Sequence, residues 1–296
     1  MATTLKDKIA SDQFIICGEL GPPQSCNGNV IRKKSAHFKH VDAVNITDNQ
    51  TAIVRLSSIA SAKILLEEKV EPIIQMTCRD RNRIAIQSDL LGAAALGIEN
   101  VLCLTGDYQK FGNHPEAKGV FDLDSIQLIA AVANMNEGFL LSGDTMKTPP
   151  AFCIGAAANP FGEPFEMRLI RLYKKIQAGA HFIQTQPVFD LERFENWMSK
   201  VNELNLADKT AILPGIMPVK SAKALIYMQE EVPGVRINQE YISRLQNARD
   251  PKEEGIKIAV EIIRTVKKLK GIRGIHLMPV MWESITPTIL QEAGLK

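Results

Sequence analysis

Glu19 closes an apolar run, Phe14-Ile15-Ile16-Cys17-Gly18, and is followed at once by Leu20-Gly21-Pro22-Pro23. A carboxylate at the end of a buried strand costs free energy unless it has a partner or a task. The double proline cannot donate to a sheet ladder, so the strand has to end there. A second carboxylate, Asp107, follows Leu104-Thr105-Gly106 at the end of another apolar run. Other apolar runs end in amides, hydroxyls and small side chains, among them Asn45, Thr47, Gln75, Thr77, Ala157, Gln184 and Gln186. Small residues leave room for a flat ring, and glutamines both donate and accept along the edge of a heterocycle. The five histidines show no HExxH spacing and the five cysteines no CxxC, so no metal site is expected.

These residues have to be carried by elements that bring them to one place. Eight short apolar runs read as strands: 14–19, 41–47, 72–77, 100–104, 152–157, 182–185, 211–215 and 274–278. Seven are followed at once by helical pattern, at 30–38, 54–68, 83–96, 124–135, 164–177, 191–204 and 222–230. Two more helical segments, near 239–246 and 253–270, precede the last strand. Strict β-α alternation of that count predicts an α/β fold of the (β/α)8 TIM barrel type, as one domain over 1–296, better than an open doubly wound sheet. In such a barrel the site lies at the C-terminal ends of the strands. That is where Glu19 and Asp107 fall, able to face one another across the mouth. The segment 108–121 also follows a strand and suits a ligand-contacting loop. The Gly/Pro-rich segment 138–150 precedes a strand and belongs to the opposite face.

Composition narrows the class. Hydrophobic residues make up 45% of the 296, enough for a large core, and the formal net charge is +2 with both signs interspersed. Neither a nucleic-acid surface nor a membrane surface is suggested. The N-terminus MATTLKDKIASDQ has no apolar h-region, and no apolar run reaches the length of a membrane span. A soluble, cytoplasmic protein is expected. Neither GxGxxG nor GxxxxGK[ST] occurs, so the usual dinucleotide and P-loop grips are absent. Cysteines 17, 78, 103 and 153 lie in or just beyond apolar strands and read as small buried hydrophobes.

Four ordered stretches on four strands carry a family resemblance: GELGPP at 18–23, LTGD at 104–107, QTQPVFD at 184–190 and PGIMPV at 214–219. Together they resemble the methylenetetrahydrofolate reductase family over nearly the whole chain. The resemblance implies FAD, in preference to FMN, held without a covalent bond on the barrel's C-terminal face. It implies reduction of 5,10-methylenetetrahydrofolate to 5-methyltetrahydrofolate, with flavin and folate stacked and the two substrates using the site in turn. On this chain it makes Glu19 the general acid that opens the imidazolidine ring, and Asp107 the charge that favours the iminium and contacts the pterin. Gln186 is implied as a pterin partner. Thr47, Gln75, Leu104, Thr105, Gly106, Asp107 and Ala157 are implied flavin contacts, and Lys174 and Lys175 meet the pyrophosphate by charge.

The departures from the family pattern bear on the electron donor. Position 75 is Gln where the family often has His, Thr105 replaces a basic residue, and AAANPFGEP follows the fifth strand. Lys220-Ser221-Ala222 stands where well-known bacterial members stack a side chain on nicotinamide. The stretch HLMPVMWE at 276–283 resembles the variant of acetogenic bacteria. There the reductase works with a zinc- and iron–sulfur-bearing partner, and the resemblance implies that partner as the source of electrons. Self-association and assembly with that partner are both left open. So are two other readings: a different flavin or pterin barrel, and a non-catalytic flavin- or folate-binding subunit of an electron-transfer assembly.

Overall fold

The computed structural model describes residues 4–232 and 235–295; residues 1–3, 233, 234 and 296 of the expected domain lie outside them. Eight parallel strands close on themselves in sequence order: β1 (Ile15–Leu20), β2 (Ala43–Ile46), β3 (Pro72–Thr77), β4 (Asn100–Leu104), β5 (Cys153–Ala158), β6 (Phe182–Pro187), β7 (Ala211–Ile216) and β8 (Gly274–Leu277). The expected (β/α)8 barrel is therefore the observed architecture. Its strands are covered on both faces, which is why they read in the sequence as continuous apolar runs rather than as alternation.

Helices follow the strands as the pattern demands: α2 (Asn29–Ser35), α3 (Ser58–Glu67), α4 (Arg83–Ala95), α5 (Ser125–Asn136), α6 (Phe165–Gln177), α7 (Leu191–Glu203) and α8 (Ala222–Glu231). The two additional helices before β8 are α9 (Gln239–Asn247) and α10 (Pro251–Val266). Most begin where a side-chain oxygen takes up a free amide of the first turn, as Asn82, Asp124, Asp190, Asn238 and Asp250 do. The same effect corrects one boundary. Periodicity alone starts α3 at Val54, but the Ser57 hydroxyl caps Ala60 and holds the start at Ser58. Likewise α10 stops at Val266, so the Lys267–Lys270 basic run lies in the turns beyond it. Two short helices escape the sequence pattern: α1 (Leu5–Ala10) and α11 (Thr286–Glu292).

Two apolar layers hold the barrel. The larger lies between strands and helices, and includes Trp197, Phe194, Phe38 and Phe161. The smaller fills the lumen, where Ile15, Cys17, Ala43, Ile73, Leu102, Cys153, Phe182, Ala211 and Leu213 meet. Leu5 of α1 joins this lumenal set and plugs the N-terminal end, its backbone N–H held by the Glu71 carboxylate at 3.0 Å. Burying a leucine in this way stabilises by about 1.5–3 kcal/mol. The Phe182 ring occupies the space over Gly155, where an added Cβ would lie 2.2 Å from the ring. The lower lumen is thus filled by side chains, below the C-terminal mouth.

Candidate active site

Register decides which strand-end residues face the mouth. Cys17 of β1 is lumenal, so Glu19, two residues on, faces the same way. Glu19 pairs in register with Asn45 of β2, and Cys17 with His276 of β8. Asn45, His276 and Gln75 of β3 are all buried. The Glu19 carboxyl is about one-tenth exposed, and its Oε2 sits 3.4 Å from both His276 Nε2 and Gln75 Nε2. Gln75, expected to touch the cofactor, donates here to the Glu19 carboxyl. Leu104 reaches the lumen from β4.

Asp107 occupies a different part of the mouth. Its side chain is exposed and accepts the Thr51 N–H at 3.0 Å, while its carbonyl accepts Arg79 Nη1 at 3.3 Å. The same Arg79, buried, forks onto the Asp80 carboxylate at 2.8 and 2.7 Å and donates to Asn49 O at 3.2 Å. Arg81 forks onto buried Asp48, which also accepts the Thr77 amide and hydroxyl. These pairs lock together the loops that follow β2, β3 and β4. The backbone shows how tightly: Thr51 and Ala52 both have φ near +57° (57° and 56°), a left-handed conformation disfavoured for a β-branched residue. A Cβ on Gly112 would fall 1.9 Å from Ala52 O. Asn113 adds a 3.2 Å bond to Val54 N. The segment 108–121 is thus braced against its neighbours.

On the opposite arc, Ala157, Ala158, Asn159, Arg168, Arg171, Leu172, Lys175 and Gln186 line a cavity of about 160 Å³. A register irregularity between Gln184 and Pro187 accompanies the outward turn of Gln186, which is exposed at the rim. Lys175 is buried and donates to Ala157 O at 2.6 Å. Burial, with the Arg171 charge adding to it, pushes its ammonium down to about 8. Lys174, expected beside it, is exposed on the outer face of α6, because successive helical residues point about 100° apart. Thr105 Oγ1 accepts the Ser125 N–H at the start of α5 at 3.2 Å.

Two orphaned buried atoms bear on a flavin at this mouth: Thr47 Oγ1 and Arg168 Nε, both without a protein partner. Three cations around one cavity, with no carboxylate in its lining, suit a diphosphate, and alanines beside them leave space for a ring. The residues present fit such a group. Arg168 and Arg171 were not singled out in the sequence, although their spacing with Lys175 (i, i+3, i+7) puts all three on one helical face. Arg79, Arg81 and His276 also lacked assigned roles, because their partners lie far away in the chain. Among the described residues, no group of three or more His, Cys, Asp or Glu is placed to hold a metal ion, and no helix is long and apolar enough to cross a membrane.

A closed barrel with an acid at its mouth and a cation-lined cavity defines a class of ligand-binding TIM barrels. Within it the assignment is direct: the methylenetetrahydrofolate reductase family model matches residues 4–294, and the chain belongs to that family. Methylenetetrahydrofolate reductase 1 of Schizosaccharomyces pombe is 26% identical over 235 residues, 77% of this chain and 36% of its own length. Methylenetetrahydrofolate reductase 2 of the same yeast is 29% identical over 265 residues, 80% of this chain and 38% of its own. The chain thus spans under two-fifths of the length of these curated relatives. Among solved structures, an uncharacterized protein from Clostridium thermocellum that binds two copies of 5-methyl-5,6,7,8-tetrahydrofolic acid superposes with a TM-score of 0.67. It is 17% identical, and 98% of each chain is covered, a likeness of fold.

Proposed function

We propose that this chain is a flavin-dependent methylenetetrahydrofolate reductase, with one barrel carrying both the flavin and the folate. The observation that carries the reading is Glu19, lumenal at the mouth, with Gln75 donating to its Oε2 and His276 3.4 Å away, in a chain of this family. The folate bound by the Clostridium thermocellum protein of like fold supports the choice of substrate.

In this reading Glu19 gives its proton to N10 of the imidazolidine ring. Its O–H bond breaks, an N10–H bond forms, and the electron pair of the bridging C–N10 bond moves to N10. The bridging carbon is left as an iminium on N5. Asp107 contributes negative charge at the mouth, which favours that cation. Gln186 pairs with the pterin edge. Thr47, Leu104, Gly106 and Ala157 surround the ring system, with Gln75 and the Thr105 backbone beside them. Lys175, with Arg168 and Arg171, meets the diphosphate, which favours FAD over FMN. Lys174 contributes longer-range charge only. The hydride that completes the methyl group is the chemistry a bound flavin supplies.

Electrons come in this reading from a partner protein rather than directly from nicotinamide. The segment Lys220-Ser221-Ala222 stands where other members stack a side chain on that ring, and its Lys220 donates to Met281 O at 2.8 Å and lies 5.4 Å over the Trp282 ring.

The test uses the purified chain, reduced anaerobically with dithionite and mixed with methylenetetrahydrofolate. Reoxidation of the flavin with formation of methyltetrahydrofolate is expected. Purified chain that takes up no flavin, or reduced flavin that folate leaves untouched, would sink the reading.

A further inference from the structure

Three adjacent strands, β8, β1 and β2, bring His276, Glu19 and Asn45 together: Asn45 pairs in register with Glu19, and His276 with Cys17 two residues below it. Asn45 and His276 are 0% and 3% exposed, so water does not compete freely for their bonds. Asn45 Nδ2 lies 3.3 Å from Gly18 O and 3.4 Å from His276 Nδ1. A backbone carbonyl only accepts, so its presence fixes which end of the Asn45 amide points this way: the NH2 end. The ring nitrogen facing that NH2 must then be an acceptor. Nδ1 therefore carries the lone pair, and the ring proton sits on Nε2, which faces Glu19 Oε2 at 3.4 Å. Gln75 aims a second N–H at the same oxygen. Gln75 donates to Oε2 and the His276 Nε2–H lies 3.4 Å from the same oxygen, while no protein donor among the described hydrogen bonds reaches Oε1.

We propose that His276 is a positioning residue for the proton-donating glutamate, with Asn45 selecting its tautomer. The proposal rests on the function argued above. N–H groups on the Oε2 side leave Oε1 as the oxygen to carry the transferable proton. They also stay in place to stabilise the carboxylate that remains after the O–H bond breaks and the N10–H bond forms. No reorganisation is needed, because the donors already point where the charge develops.

The direct test is the tautomer. Long-range ¹H–¹⁵N spectra of histidine-labelled protein, with the His276 signals identified by their loss in His276→Gln, should show a protonated Nε2 and a bare Nδ1. In Asn45→Asp the new carboxylate accepts from Nδ1, and the protonated Nδ1 signal should appear. A wild-type Nδ1–H tautomer overturns the proposal. The functional test compares His276→Leu with His276→Gln, whose side-chain amide can restore an N–H toward Glu19. Folate-driven reoxidation should slow by about 10- to 100-fold in the leucine variant, with folate affinity nearly unchanged. The glutamine variant should recover most of the rate. Equal losses in both, or a loss confined to folate affinity, overturn the positioning role. If wild-type protein itself fails to reoxidise with folate, the proposed function has failed, and the tautomer spectra still report on the Asn45–His276 assignment.

Discussion

In the proposed reaction Glu19 is the proton donor, and Glu19→Gln is the sharpest probe of that role. The amide keeps the shape and can still meet His276 or Gln75, but it has no proton to give. Single-turnover reoxidation by methylenetetrahydrofolate should fall by about 100- to 10,000-fold, while flavin content stays that of wild type. A change of only a few-fold would remove Glu19 from the proton-transfer role. Lys175 makes a second prediction at this scale. Its ammonium is pushed from 10.5 down to about 8, chiefly by burial. Between those values the unfolded chain binds the extra proton and the ligand-free folded chain does not, so stability rises with pH across that window. The rise is on the order of 3 kcal/mol, and below about pH 8 the cost of burying the charge is fully present. Urea titrations from pH 7 to 10.5 should show this rise in wild type and a flatter profile in Lys175→Met. Affinity for an anionic diphosphate should move the opposite way, weakening once the lysine loses its proton.

The elements make their own predictions, and glycines show the contrast. Gly155 lies beneath the Phe182 ring, where an added Cβ would come within 2.2 Å of a ring carbon, so Gly155→Ala should destabilise by about 1–3 kcal/mol. Gly92 sits in the exposed interior of α4 with nothing within 4 Å of an added Cβ. Gly92→Ala should therefore stabilise by about 0.5–1 kcal/mol, chiefly through helix propensity. Equilibrium denaturation of both variants checks the pair; equal effects would mean that the lumen repacks around Phe182. The strands were legible in the sequence because burial on both faces leaves a plain apolar run, and the helices because their pattern has a period. What escaped was decided by single bonds or by distance along the chain. The Ser57 cap moved the start of α3, and α1 is too short for periodicity, its place fixed by Leu5 in the lumen and by Glu71. At the site, Glu19 and Asp107 were legible as polar strand ends. The Arg79 and Arg81 clamps were not, since a guanidinium in a loop looks solvated until its partners are known. Lys174 and Lys175 looked equivalent, and one helical step separated them.

At the scale of the whole molecule, the barrel brings together residues from both ends of the chain: Glu19 meets His276, and Lys34 pairs with Glu283 at 2.5 Å. The proposed electron route also belongs to this scale. With Lys220 engaged by Met281 and Trp282, neither NADH nor NADPH should bleach the flavin of the isolated chain, whereas dithionite should. Rapid anaerobic bleaching by NADH would make the chain a self-sufficient reductase and remove the argument for a partner.

The crossing of Gly112 over the Ala52 carbonyl sets a rule for anyone redesigning this mouth. Only a hydrogen fits at that crossing, so an insertion or deletion between residues 105 and 113 would slide a side chain into the carbonyl and unhook the clasp. On the arc after β5 and β6, Glu163 pairs with Arg193 and Arg236 through an exposed carboxylate, and its carbonyl accepts Arg168 Nη2 at 2.6 Å. The β2–β4 arc is therefore the part of the mouth to leave at its present length.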